Sequence, residues 1–108
     1  MTRCPCPYLK GEVELTDERE QHIAERHPDL LPEHRHRILE TLAHPDQVRR
    51  SVQFGGARMF SRWYADVRQG KHVVVVVVSE RNLGERHWIV TAYIARRLEG
   101  GNVEWERI

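Results

Sequence analysis

The chain has 108 residues, 40% of them hydrophobic and 31% charged, which fits one globular domain and excludes a disordered tail or a fibrous repeat. Its net charge of +1 hides a split: residues 1–46 carry six Lys/Arg against ten Asp/Glu, and residues 47–98 carry ten against three, a net +7. No stretch is apolar for long enough to cross a bilayer and no apolar leader opens the chain, so a cytoplasmic protein without a membrane partner is expected.

Residues 1–15 read as an irregular segment punctuated by prolines, with a short strand at Glu12–Leu15. Cys4 and Cys6 are too close for an unstrained bridge and read as reduced thiols. Thr16 caps a first helix, with acids in the first turn where the macrodipole favours them. Pro28 ends that helix near Arg26, and His22 and Arg26 share one of its faces. A second helix is expected from Pro32 to Ala43, with Ile38, Leu39 and Leu42 on its buried side and Pro45 stopping it. Strands then follow at Gln47–Phe54, Ala57–Val67, Val73–Val78, Arg86–Ala95 and Asn102–Trp105, with turns at Gly55-Gly56, Gln69-Gly70, Asn82-Leu83-Gly84 and Gly100-Gly101. The expected architecture over residues 1–108 is a single α+β domain: two N-terminal helices packed on one twisted antiparallel sheet of about four to five strands.

The valine run suits a central strand, because six valines on an open edge would invite aggregation. In the next strand Trp88, Val90, Ala92 and Ile94 share one parity, and that wholly apolar side wants a core. His87, Ile89, Thr91 and Tyr93 share the other. A buried hydroxyl without a partner costs about 1–3 kcal/mol, so Thr91 and Tyr93 need either partners or a ligand. The basic strand half beside an acidic helical half points to a phosphate-bearing or nucleic-acid partner.

Five short motifs carry a family likeness. They are His22-Ile23-x-x-Arg26-His27-Pro28, Pro45-Asp46-x-Val48, Arg58-x-Phe60, Lys71-x-Val73-Val74-Val75-Val76 and Val90-Thr91-Ala92-Tyr93. In this order, over residues 16–106, they resemble the barnase/EndoU/colicin/RelE-like (BECR-fold) nucleases, above all the prophage-associated branch. The resemblance implies a RelE/barnase-like fold and metal-independent cleavage of RNA, tRNA or mRNA, with no cofactor. It also implies a toxin or phage–host conflict role, and with it a cognate antitoxin or immunity protein.

Metal-independent RNA cleavage uses the ribose 2′-hydroxyl as nucleophile, so it needs a base, an acid and cations around the phosphorane. His22 and His27 are the candidate acid–base pair, since an unperturbed imidazole titrates near 6.5. Thr91 and Tyr93 would orient the phosphate, with base stacking as the other use of Tyr93. Arg58 and Lys71 would hold phosphate oxygens, and Arg26 either does so or caps its helix. His22 and Tyr93 are expected to face one cleft, and Trp63, Trp88 and Trp105 to fill the core. Two other readings stand beside this one. One is a non-catalytic prophage accessory or RNA- or protein-binding module; the other is a small zinc module using Cys4 and Cys6 with His22 or His27, although two-apart cysteines are an unusual zinc spacing.

Overall fold

A computed structural model describes residues 1–53, 55–82 and 84–108. Seven strands, β1 (Thr2–Cys6), β2 (Gly11–Leu15), β3 (Gln47–Arg50), β4 (Arg58–Tyr64), β5 (Lys71–Glu80), β6 (Arg86–Ala95) and β7 (Asn102–Glu106), form one sheet in the order β1-β2-β6-β5-β4-β3-β7. Two short helices, α1 (Asp17–Arg26) and α2 (Arg35–Ala43), lie between β2 and β3 in sequence. This corrects the expected two helices on an antiparallel sheet of about four to five strands: strands hold 43% of the chain and helices 21%, and the sheet is mixed. The RelE/barnase-like arrangement expected with it is overturned by the same observation. No helix among the described residues is long and apolar enough to cross a membrane.

The extra strands come from the segment expected to be irregular. β1 and β2 form an antiparallel hairpin in which Cys4 faces Val13, joined by a 3-10 turn at Pro7–Leu9. Pro5 is tolerated because β1 is the sheet's edge and its missing N–H breaks no central ladder. Cys4, Cys6, Val13 and Leu15 point into the core, while Arg3, Pro5 and Glu12 face out. β2 then runs parallel to β6, with Val13 beside His87. Only this pairing makes the sheet mixed.

The helices follow their local signals. The Thr16 side chain accepts the Arg19 N–H at 3.1 Å, and the chain leaves α1 at His27, just before Pro28. Ile23 is the one buried residue of α1, so ion pairing supplements its packing: Arg35 donates twice to Glu20, at 2.7 and 3.2 Å. α2 starts at Arg35 rather than Pro32, and it buries Ile38, Thr41 and Leu42 against β1, β4 and β5. Leu30 and Leu31, between the helices, are fully buried with them.

β5 lies in the middle of the sheet, as six consecutive valines require. Phe60, Val73, Val75, Val77, Ile89 and Ala92 form the face beneath the helices. β3 is shorter than expected, and the proposed strand end at Phe54 and turn residue Leu83 lie outside the described residues. The two sheet edges approach one another through Tyr8, whose ring lies 5.8 Å from both Phe60 and Trp105. Its hydroxyl donates to Glu104 of β7, which also accepts from Arg50 Nε at 2.7 Å and Arg58 Nε at 2.8 Å. Burial pushes the Glu104 carboxyl up, but the bonds from Tyr8, Arg58 and Arg50 outweigh it and hold its pKa down to about 2.

Candidate functional site

The face of the sheet away from the helices is set by a bulge. Along β6, Thr91 lies opposite Val76 and Ile89 opposite Val77, so Val90 is an extra residue. The side-chain parity therefore changes at Val90. His87 and Ile89 point into the core before it, and Ala92 does so after it. Val90, Thr91 and Tyr93 consequently share the outer face with Val76 and Val78. The single apolar side expected for Trp88, Val90, Ala92 and Ile94 is divided between the two faces.

These outer-face residues border a cavity of about 410 Å³, walled by Met59, Val76, Val78 and Val90 and flanked by residues 51–53, Ala57 and residues 99–101. That volume lies within the range of small-ligand sites. Thr91 and Tyr93 put the hydroxyls on the wall, and neither makes a hydrogen bond to another described residue. Burial, then the Glu99 charge, raises the Tyr93 phenol, so it stays protonated at neutral pH and available as a donor. The His27 ring lies 6.0 Å from the Tyr93 ring, reaching it from the end of α1.

Tyr93 also borders a shallow hollow with Arg49 and Arg97. Arg49 is occupied: its Nε donates to the Gly100 carbonyl at 2.8 Å and its Nη1 to Gln47 at 3.1 Å, tying segment 96–101 to β3. Arg96 and Arg97 are exposed and have no ion pair or hydrogen bond among the described residues. They are the free cations nearest to Tyr93 along the chain.

The other expected site residues lie elsewhere. His22 is half-buried on α1 in a surface groove beside Glu18 and Glu25, and it borders neither hollow that Tyr93 borders. Arg26 is exposed in the last turn of α1. Arg58 has the parity of Phe60, on the helix side of the sheet, and its guanidinium is taken by Glu104. Lys71 Nζ donates to the carbonyls of Arg68 and Gly70 at 2.9 and 3.1 Å. Thus the structure places Thr91 and Tyr93 on one cavity, with His27 near Tyr93, and leaves His22, Arg58 and Lys71 out of that group. The Cys4 and Cys6 thiols both face the core, and burial raises them, Cys4 to about 11, the opposite of what a thiolate ligand needs.

Reading the residues alone missed Trp63, His72 and Arg97. Trp63 was expected in the core but is 48% exposed on the outer face, with its ring 5.0 Å from that of His72. The signal lay in β4: Trp63 alternates with Phe60 and Tyr64, which fill the opposite side. Comparison with protein-family models, with curated proteins and with solved structures finds no match.

Proposed function

We propose that the chain is an RNA-cleaving nuclease whose substrate lies on the outer face of the sheet. One observation carries this reading: the Thr91 and Tyr93 hydroxyls, unpartnered among the described residues, border an open cavity, with the His27 ring 6.0 Å from that of Tyr93 and the unpaired Arg96 and Arg97 just beyond the end of the same strand. The motif resemblance to prophage-associated nucleases agrees with it, and a toxin or phage–host conflict role, with a cognate inhibitor, is the biological setting it suggests.

The chemistry needs no redox step. His27 takes the proton of a ribose 2′-hydroxyl, and the resulting oxygen attacks phosphorus as the bond to the 5′-oxygen breaks. Tyr93 protonates that leaving oxygen, and the His27 proton then returns to Tyr93, so the enzyme ends unchanged and the product carries a 2′,3′-cyclic phosphate. Thr91 donates to a nonbridging oxygen, and Arg96 and Arg97 offset the charge of the phosphorane. Since the attacking and leaving groups are both substrate oxygens, the protein must supply only a base, an acid and positive charge.

The test is incubation of total RNA with the protein in EDTA, followed by end-group analysis. Cleavage leaving cyclic phosphate ends is expected, with His27→Ala and Tyr93→Phe each slower by about 10²–10⁴-fold. Intact RNA at high enzyme concentration would overturn the cleavage. A second reading, a non-catalytic RNA-binding module, is favoured by the apolar walls of the cavity and the neutralisation of Arg58 by Glu104. Binding without cleavage would select it.

A further inference from the structure

We propose that Trp63 is a fixed stacking platform for an unpaired nucleobase, at the end of the outer face beyond Tyr93. The proposal rests on the reading that this face takes single-stranded RNA, and it adds the residue that positions the strand. Trp63 exposes 48% of its surface although it sits inside a regular strand, paired with His72 of β5. A large apolar ring left open on a sheet costs hydration unless something covers it.

The ring is held, not loose. Gly70 has φ +103° in the turn before β5, and a Cβ there would lie 2.7 Å from Trp63 Cζ2 and 3.0 Å from Cη2. Only glycine therefore allows the indole to rest against that turn. His72 meets the indole edge-on at an interplanar angle of 69°, and the Trp63 backbone N–H donates to Asp46 at 2.7 Å. A ring already fixed loses little freedom on stacking, which favours binding.

The surrounding charge suits a phosphodiester strand. Lys71 is turned to the carbonyls of the turn beneath the indole and is in no ion pair among the described residues. Arg96 follows directly on Ala95, the cross-strand partner of His72, and it is unpaired among the described residues. Asp46, which accepts the Trp63 N–H, is itself bound by Arg107 and lies 3.8 Å from Arg62. An aromatic platform flanked by cations is the arrangement that binds single strands with little sequence preference. A strand crossing from Trp63 to the cavity would pass His72 and Tyr93.

The test measures affinity of the full chain for a short RNA made uncleavable by 2′-deoxy substitution. Trp63→Ala should weaken binding by roughly 5- to 150-fold while Trp63→Phe retains most of it, and the salt dependence should stay unchanged in both. Placing a single abasic position in the RNA should weaken wild type by the same factor at one register and leave Trp63→Ala unaffected there. Gly70→Ala, which displaces the ring without removing it, should fall between. Equal affinity of wild type and Trp63→Ala, with both folded, would overturn the platform while leaving RNA binding intact. If the wild type binds no RNA, the proposed function fails and the platform fails with it.

Discussion

Replacing Glu104 by Gln tests whether the charged cluster joining the sheet edges stabilises the fold. The side chain is about one-fifth exposed, although β7 is a free edge, and it accepts from Tyr8, Arg50 and Arg58 together. Its carboxyl is held down from 4.5 to about 2. At about 1.4 kcal/mol per pH unit that bounds the contribution near 3 kcal/mol, and screening by solvent reduces it to roughly 1–2 kcal/mol. Because the folded value lies below the unfolded one, the stabilisation is complete above about pH 4.5 and is lost as pH falls through about 2. Glu104→Gln should therefore lower the melting temperature at pH 7 by about 5–10 °C. Urea unfolding of both proteins at pH 7, 5, 4 and 3 should show the gap narrowing below pH 4.5. A gap that stays constant across that range would refute the electrostatic origin and leave packing of the edge as the cause.

Two further outcomes are expected. Because burial raises Cys4 to about 11 from 9, a disulfide reagent at pH 8 should modify it about a hundredfold more slowly in the native protein than in urea; equal rates would mean that β1 frays from the sheet. Neutralising Arg96 and Arg97 together should reduce the slope of log affinity against log salt by about 1.4, at about 0.7 per phosphate contact on a single strand, whereas Arg58→Gln should leave it unchanged. A slope that responds to Arg58 instead would move the nucleic-acid surface to the helix side.

The legible parts of the fold are those with local causes. Thr16 and Pro28 bound α1, and the valine run lies in the centre of the sheet. Thr91 and Tyr93 stood out because hydroxyls interrupt an apolar strand, and both border the cavity with no hydrogen-bond partner for either hydroxyl among the described residues. The rest depended on long-range pairing. Nothing in Cys4-Pro5-Cys6-Pro7 distinguishes an edge strand from a loop until β2 is placed beside β6. The Val90 bulge adds one residue to a period-two pattern, and every face assignment before it inverts. His22 and Tyr93 were linked by chemistry that both residue types can perform, whereas the contact to Tyr93 is made by His27, the residue that ends the helix.

The basic strand half shows why a charge count is a blunt guide to a nucleic-acid surface. Of its ten Lys/Arg, five are in ion pairs: Arg50 and Arg58 with Glu104, Arg62 with Glu40 and Asp46, Arg68 with Asp29, and Arg86 with Glu14. Three of those carboxylates come from the acidic first 46 residues other than Asp46, so the charge split is largely the two halves of one folded core facing each other. Arg49 and Lys71 are turned to carbonyls that fasten turns. Three remain without an ion pair among the described residues: Arg81, which follows β5 at the end away from Tyr93, and Arg96 and Arg97, adjacent in sequence and immediately beyond the strand that carries Thr91 and Tyr93. An arginine already satisfied by a carboxylate must break that bond before it can hold a phosphate, whereas an unpaired one need only release counterions. The +7 half therefore leaves one unpaired cation at the far end of the sheet and two together at the end of β6 near Tyr93. On the proposed function, that pair, more than the total charge, would hold the phosphate beside the Thr91 and Tyr93 hydroxyls.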